Sequence, residues 1–135
     1  MQLNIEDIFQ RLDYLDYNPT IHSRGNNDII EFYRNGYKFT INCRKYLVRI
    51  MTSVSEFELL TKYGPNIHKY ISSIIFDVMK NVIAIKVYID PDGYIVYSME
   101  QFVSDIERFN KMLPQYLSIF DTAMEDFYTR LEQIE

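Results

Sequence analysis

The sequence predicts an α+β fold: a helix, a three-stranded antiparallel meander, a helix, a β-hairpin and a long C-terminal helical segment. The meander is predicted by alternating apolar residues on either side of Asn35-Gly36 and Arg44-Lys45. The hairpin is predicted by the turn Asp-Pro-Asp-Gly at residues 90–93, and the helices by apolar residues that recur every three or four positions. We therefore expect a one-sided antiparallel sheet covered by helices.

Length and composition predict a single α+β domain over residues 1–135. A chain of 135 residues can bury a stable core without a disulfide or a structural metal, and its only cysteine, Cys43, excludes an internal disulfide. Hydrophobic residues make up 47% of the chain, but no apolar run approaches the roughly 18 residues of a membrane-spanning helix. The acidic pair Glu6 and Asp7 stands where a signal peptide would be basic. We expect a cytoplasmic protein that does not bind membranes.

The first helix is predicted from about Ile5 to Tyr14, because apolar residues recur there at helical spacing and Asn4 can cap its first turn. Asn18-Pro19 predicts the stop, and the run Ser-Arg-Gly-Asn-Asn at residues 23–27 predicts a turn before the first strand.

Pairing outward from the two meander turns predicts a strand register with one apolar face. In this register Phe32 lies beside Phe39 and Ile50, and Ile30 lies beside Ile41 and Val48. Cys43 is in phase with the same face and is expected to be a buried, inert thiol. The opposite face is predicted to carry Glu31, Tyr33, Lys38, Thr40, Asn42, Arg49 and Met51.

Two helices are predicted between the meander and the hairpin. A Ser-x-x-Glu capping box that begins at Ser55 predicts a short helix, which Gly64-Pro65 ends. Asn66 can cap the following central helix, which carries an apolar stripe and ends at Asn81.

The C-terminal segment carries apolar residues at steps of three and four, and Pro114 interrupts it. Ser98 with Gln101 is expected to cap this segment. Because an interior proline costs about 3 kcal/mol, we expect either a kink or a helix from about Glu100 to Met112 followed by another from Pro114.

The apolar seam of this segment predicts a contact with a partner chain. As one straight helix it would extend about 50 Å, which exceeds the width of a small domain. Core packing within one chain explains the same seam equally well. The predicted partner or dimer contacts are Phe109, Leu113, Tyr116, Phe120, Met124, Phe127 and Leu131.

The passage from Val78 to Tyr97 joins a helix that ends near Asn81, a strand that carries Lys86 and a turn that ends in Asp92-Gly93. This passage resembles the YbjN-like family, a family of bacterial proteins that are described as regulators of sensory transduction. The element order from Asn4 to Leu131 is also similar to the fold of type III secretion chaperones. The chain departs from those chaperones in its long C-terminal segment, which puts their mode of dimerisation in doubt here.

The resemblance implies a non-catalytic protein, and the residues agree with that implication. His22 and His68 lie far apart without the three or four convergent ligands of a metal site, and the four glycines are too dispersed for a phosphate loop. We therefore expect no catalytic residue, no metal and no cofactor.

A basic run predicts one further surface, because no acid occurs between Arg34 and Glu56. Cations and an aromatic residue on a sheet face suit single-stranded nucleic acid, but the net charge of −5 argues against that partner. A solvated face and docking of the acidic C-terminal segment of a neighbouring chain are the alternatives. The residues that define this basic sheet face are Arg34, Lys38 and Arg49.

The sequence therefore predicts a protein-interaction module, chaperone-like or a regulatory adaptor, that forms a homodimer and binds a segment of another protein. The alternative is a small-ligand-binding protein or an enzyme with a pocket between the sheet and the helices. That pocket would be ringed by Tyr88, Tyr94, Tyr97 or Tyr116.

Overall fold

The computed structural model describes residues 3–24 and 27–134, which form four α-helices and one six-stranded antiparallel sheet. The strand order in the sheet is β1-β2-β3-β4-β6-β5. The helices are α1 (Ile5–Tyr14), α2 (Glu56–Tyr63), α3 (His68–Asn81) and α4 (Ile106–Glu132). The strands are β1 (Thr20–Arg24), β2 (Asn27–Arg34), β3 (Tyr37–Arg44), β4 (Leu47–Ser55), β5 (Lys86–Ile89) and β6 (Tyr94–Phe102). The predicted α+β class is confirmed.

The first helix has the predicted bounds and the predicted cap, since the Asn4 side chain accepts a hydrogen bond from the Glu6 amide. The strand that follows it was not predicted. Residues 20–24 pair with β2, so that Ile21 lies opposite Ile30. Of the turn predicted at residues 23–27, residues 25 and 26 lie outside the described residues.

The register between β2 and β3 is the predicted one, with Phe32 opposite Phe39. Asn35 and Gly36 have φ values of 55° and 82°, as a two-residue hairpin turn of this twist requires. The register between β3 and β4 differs from the prediction, because Ile41 lies opposite Ile50 and Phe39 lies opposite Thr52.

This two-residue shift places the turn at Lys45-Tyr46, where Lys45 has a φ of 53°. Side chains alternate with a period of two, so the shift leaves every residue on its predicted face. The residues predicted to form the apolar side are accordingly buried: Ile30, Phe32, Phe39, Ile41, Val48 and Ile50.

The second hairpin turns at the predicted residues, where the Asp90 carboxylate accepts hydrogen bonds from the amides of Asp92 and Tyr94. Its second strand extends to Phe102, so the predicted helix start near Glu100 and the predicted cap at Ser98 are wrong. Residues 95–99 are all buried, because β6 lies between β4 and β5 and both of its faces are covered there. The predicted one-sided pattern therefore does not extend to the middle of β6.

Strands β4 and β6 run antiparallel. The Val103 amide donates to the Tyr46 carbonyl oxygen at one end of the pair, and the Glu56 amide donates to the Gly93 carbonyl oxygen at the other. This pairing sets Arg49 opposite Glu100.

Three predicted details of the helices differ from the structure. The Ser55 side chain makes no capping hydrogen bond to α2, and α3 begins at His68 after a single 3₁₀ turn, Pro65–Ile67, without a cap from Asn66. The last helix begins at Ile106, where the Asp105 carboxylate accepts from the Glu107 amide, and continues through Pro114.

The described residues fall into two compact units, which share three elements: β4, β6 and α4. Unit 1 is Met1–Thr52 with Ser98–Leu113, and unit 2 is Ser53–Tyr97 with Pro114–Glu135. In unit 1 the core contains residues such as Leu12, Phe32, Phe39 and Phe109. In unit 2 it contains residues such as Ile71, Ile95, Tyr97, Phe120 and Phe127.

Candidate interaction surfaces

The C-terminal apolar seam is packed inside the chain. Six of the seven predicted contact residues, namely Phe109, Leu113, Phe120, Met124, Phe127 and Leu131, are at most 5% exposed. Tyr116 is half-buried. The Phe127 ring meets the Tyr97 ring edge to face, with 6.2 Å between the ring centroids. Core packing, the alternative that the sequence left open, therefore accounts for these six side chains.

The basic sheet face carries acids as well as cations. The Lys38 ammonium lies 3.8 Å from the Glu31 carboxylate, which also accepts from His22 Nε2 at 3.0 Å. The Arg49 guanidinium lies 3.1 Å from the Glu100 carboxylate. These ion pairs reduce the positive potential that the run of basic residues predicts.

Arg34 differs from the other two predicted cations because its Nε–H donates to the Tyr17 hydroxyl at 3.2 Å. Tyr17 in turn lies against Phe32. Arg34 is half-buried, and its guanidinium lies beside the aromatic pair that Tyr17 forms with Phe32. The three predicted cations therefore differ in how accessible they are to a ligand.

A shallow cavity of about 120 Å³ opens on the polar face of the sheet in unit 1. It crosses β2, β3 and β4, and none of the four tyrosines of the predicted pocket lines it. Asn42 forms part of its wall, and Ile29 and Arg49 lie opposite Asn42 on the two neighbouring strands. The sequence alone did not indicate this cavity, because its walls need side chains from three strands in the correct register.

Cys43, which is half-buried, also lines this cavity. Burial raises the pKa of the Cys43 thiol to about 11, because the thiolate loses solvation. The thiol is therefore protonated at neutral pH, as expected of an unreactive cysteine.

Unit 2 carries exposed apolar side chains at the end of α3 and in the turn after it. Phe76, Met79 and Ile83 are 60%, 38% and 86% exposed. The Lys80 ammonium lies 5.4 Å from the centre of the Phe76 ring. Strand β5 packs against α3 and is an edge strand of the sheet. We call these three residues together with β5 the α3–β5 surface.

The α3–β5 surface was not among the predicted contacts. The central helix shows its buried stripe clearly in the sequence, and Phe76 and Met79 lie outside that stripe. Their apolar character is the signal that could have identified the surface, since an exposed cluster of this kind marks contact sites.

Neither histidine belongs to a metal-binding cluster in the described part of the chain, where no group of three or more suitable side chains is found. His68 Nδ1 donates to the Glu56 carboxylate, and His22 lies beside Glu31. None of the helices in residues 3–24 and 27–134 combines the length and apolar character needed to cross a bilayer.

The element order and the antiparallel sheet define a YbjN-like α+β fold. A crystal structure of YbjN from E. coli, described as "a putative transcription regulator", matches this chain with a TM-score of 0.66. The match covers 98% of this chain and 97% of YbjN at 12% sequence identity. No protein-family model and no curated protein matches the sequence. The resemblance seen in residues 78–97 is therefore confirmed at the level of the fold.

Proposed function

We propose that the protein is a non-enzymatic interaction module, a regulatory adaptor or chaperone, that forms a homodimer and presents a binding surface to a segment of another protein. The exposed α3–β5 surface is the observation that carries this proposal. It takes the place of the C-terminal seam as the proposed site of self-association.

Exposed apolar side chains beside an edge strand form a surface whose apolar part is favourable to bury in an interface. Phe76 and Met79 lie three residues apart on α3, so they face the same side of the helix. The edge strand β5 presents backbone N–H and C=O groups that a further strand can bind. Burial of both features together would favour association.

Charge favours a second copy of the chain as the occupant. If two β5 strands pair antiparallel around Tyr88, Lys86 of one copy lies opposite Asp90 of the other. Cross-strand pairs of opposite charge stabilise a register by about 0.2–1 kcal/mol each. The resulting interface is isologous, as in most homodimers.

The other side chains support a binding role over catalysis. Both histidines lie against carboxylates instead of nucleophiles, and burial keeps the Cys43 thiol protonated. The ion pairs of Lys38 and Arg49 make the sheet face less attractive to nucleic acid. We accordingly propose a protein partner and no nucleic-acid partner. We also propose a cytoplasmic location.

Light scattering of the purified protein at tens of micromolar tests the proposal. We expect a mass of twice 16.2 kDa for the natural chain and of 16.2 kDa for the double variant Phe76→Ser/Ile83→Ser. Phe57→Ser is the matched control, because Phe57 is 75% exposed on α2 in the same unit and lies outside the α3–β5 surface. A monomeric natural chain would overturn the proposed homodimer, and a double variant that remains dimeric would overturn the α3–β5 surface as its interface.

Fluorescence anisotropy with a labelled single-stranded oligonucleotide tests the choice of partner. We expect no saturable binding at physiological salt, since Lys38 and Arg49 on the sheet face already have carboxylate partners. Saturable binding that is lost in Lys38→Gln and Arg49→Gln would replace the protein partner by a nucleic acid.

A further inference from the structure

We infer that the cavity on the polar face of the sheet in unit 1 binds a small molecule through one carboxylate or phosphate group. Its polar walls are the side chains of Asn27, Asn42, Arg44 and Arg49, and its apolar walls include Ile29 and Leu47. All four polar side chains carry N–H donors, and none of the lining residues is an acid. A cavity rich in donors and poor in acceptors is complementary to an oxyanion.

Two of these donors have unused capacity. Within residues 3–24 and 27–134, no hydrogen bond or ion pair engages the exposed side chain of Arg44. The Arg49 Nε–H is buried and has no acceptor among the described residues, although its Nη2 pairs with Glu100. A buried unpaired N–H is unfavourable, and an oxyanion in the cavity is an acceptor of the required kind.

The strand register explains how the donors come to share one face. Asn42 lies opposite Arg49, and Arg44 lies opposite Leu47, two residues further along the same pair of strands. Residues two apart on a strand point to the same side, so Asn42 and Arg44 both project from the polar face. The two arginines are thus fixed on a rigid sheet, where planar guanidinium groups can bind carboxylate or phosphate oxygens.

The size of the cavity limits the ligand. A volume of about 120 Å³ is well below the roughly 300–1,000 Å³ of sites for drug-sized ligands. It accommodates an oxyanion group with a short apolar part against Ile29 and Leu47. The ion pair with Glu100 shows that the Arg49 guanidinium can donate to a carboxylate.

Titration of the isotope-labelled protein, followed by its amide NMR spectrum, tests the inference. The probes are inorganic phosphate and, separately, butyrate, with sodium chloride at matched ionic strength as the reference. We expect saturable shifts at the amides of residues 42–49 with at least one probe and none with chloride. Shifts with phosphate alone indicate a phosphate ester as the natural ligand class, and shifts with butyrate alone indicate a carboxylate.

Two variants with the same charge change make the test specific. Arg44→Gln is expected to weaken binding about tenfold, because charge-assisted hydrogen bonds are lost. Lys45→Gln, at the neighbouring exposed turn position outside the cavity, is expected to leave binding unchanged. The inference is overturned if neither probe gives saturable shifts, or if Arg44→Gln and the natural chain respond alike. Both outcomes are independent of the α3–β5 surface, which lies in unit 2.

Discussion

The Arg11 guanidinium on α1 donates a 3.0 Å hydrogen bond from Nε to the carbonyl oxygen of Asn110 on α4. Asn110 lies four residues before Pro114, which has no N–H with which to make the usual helical bond. Asn110 also donates from its side-chain amide to the Asp7 carbonyl oxygen. The helix therefore continues through Pro114 with the free carbonyl already satisfied by α1.

This contact predicts that the effect of removing Arg11 depends on Pro114. We expect Arg11→Met to lower the free energy of unfolding by about 1–3 kcal/mol, because a part-buried hydrogen bond from a charged donor is lost. In a Pro114→Ala background the alanine that replaces the proline supplies an amide N–H that can bond to Asn110, so the same change should cost less than half as much. Urea unfolding of the four proteins in this double-mutant cycle measures the coupling.

Lys111→Met is the matched control for Arg11→Met, since Lys111 is an exposed cation on α4. Its effect should stay within about 0.5 kcal/mol in both backgrounds. Equal costs of Arg11→Met with and without Pro114 would contradict the explanation.

The core position of Phe127 predicts a large loss of stability on truncation. Phe127→Ala should cost about 3–5 kcal/mol, because a fully buried ring is removed and a cavity remains. Phe57→Ala, at a ring that is 75% exposed in the same unit, should change stability by less than about 0.5 kcal/mol. Denaturant unfolding followed by circular dichroism provides both values. Similar costs for the two variants would show that the seam of α4 is not core.

Burial of the Cys43 thiol predicts slow chemistry in the folded protein. With its pKa raised from 9.0 to about 11, the thiol should react with a disulfide reagent at pH 8 far more slowly than in urea. Rapid labelling of the native protein would contradict the raised pKa.

The same pKa predicts a loss of stability at alkaline pH. The unfolded thiol loses its proton near pH 9, whereas the folded thiol keeps it until about pH 11. The stability contributed by the protonated thiol is therefore complete below pH 9 and decreases as the pH rises towards 11. Comparison of the unfolding free energies of the natural chain and Cys43→Ala across this range isolates the contribution of the thiol.

The ion pair between Arg49 and Glu100 predicts a small, salt-dependent effect on stability. Both side chains are more than 40% exposed, so Glu100→Gln should cost about 0.2–1 kcal/mol at low ionic strength and less in 1 M salt. Glu125→Gln, at an exposed position on α4, is the control for the change in net charge. A cost above about 2 kcal/mol would mean that the pair is structurally essential.

Glu100→Gln also bears on the proposed oxyanion site. The Glu100 carboxylate occupies Arg49, so its removal should tighten the binding of phosphate or butyrate severalfold. The NMR titration described above measures this change. Weaker binding in Glu100→Gln would instead assign Glu100 a positioning role towards Arg49.

The two strand errors have different physical origins. Strand β1 carries a single apolar residue, Ile21, so its sequence lacks the alternation that identifies a half-buried strand. It exists as an edge strand because its backbone pairs with β2. The turn at Lys45-Tyr46 lacks a strong turn signal such as Asn-Gly, so pairing across the whole strand decided the register between β3 and β4.

The sequence by itself determined the helix-forming stripes, the turns at Asn35-Gly36 and residues 90–93, and which side of the meander is apolar, because these follow from local periodicity and turn chemistry. Tertiary structure decided the rest. It packed the α4 seam into the core, covered β6 on both faces and satisfied the carbonyl that Pro114 leaves free. It also brought Arg49 to Glu100 and joined three strands around one cavity, since each of these contacts connects residues far apart in the chain.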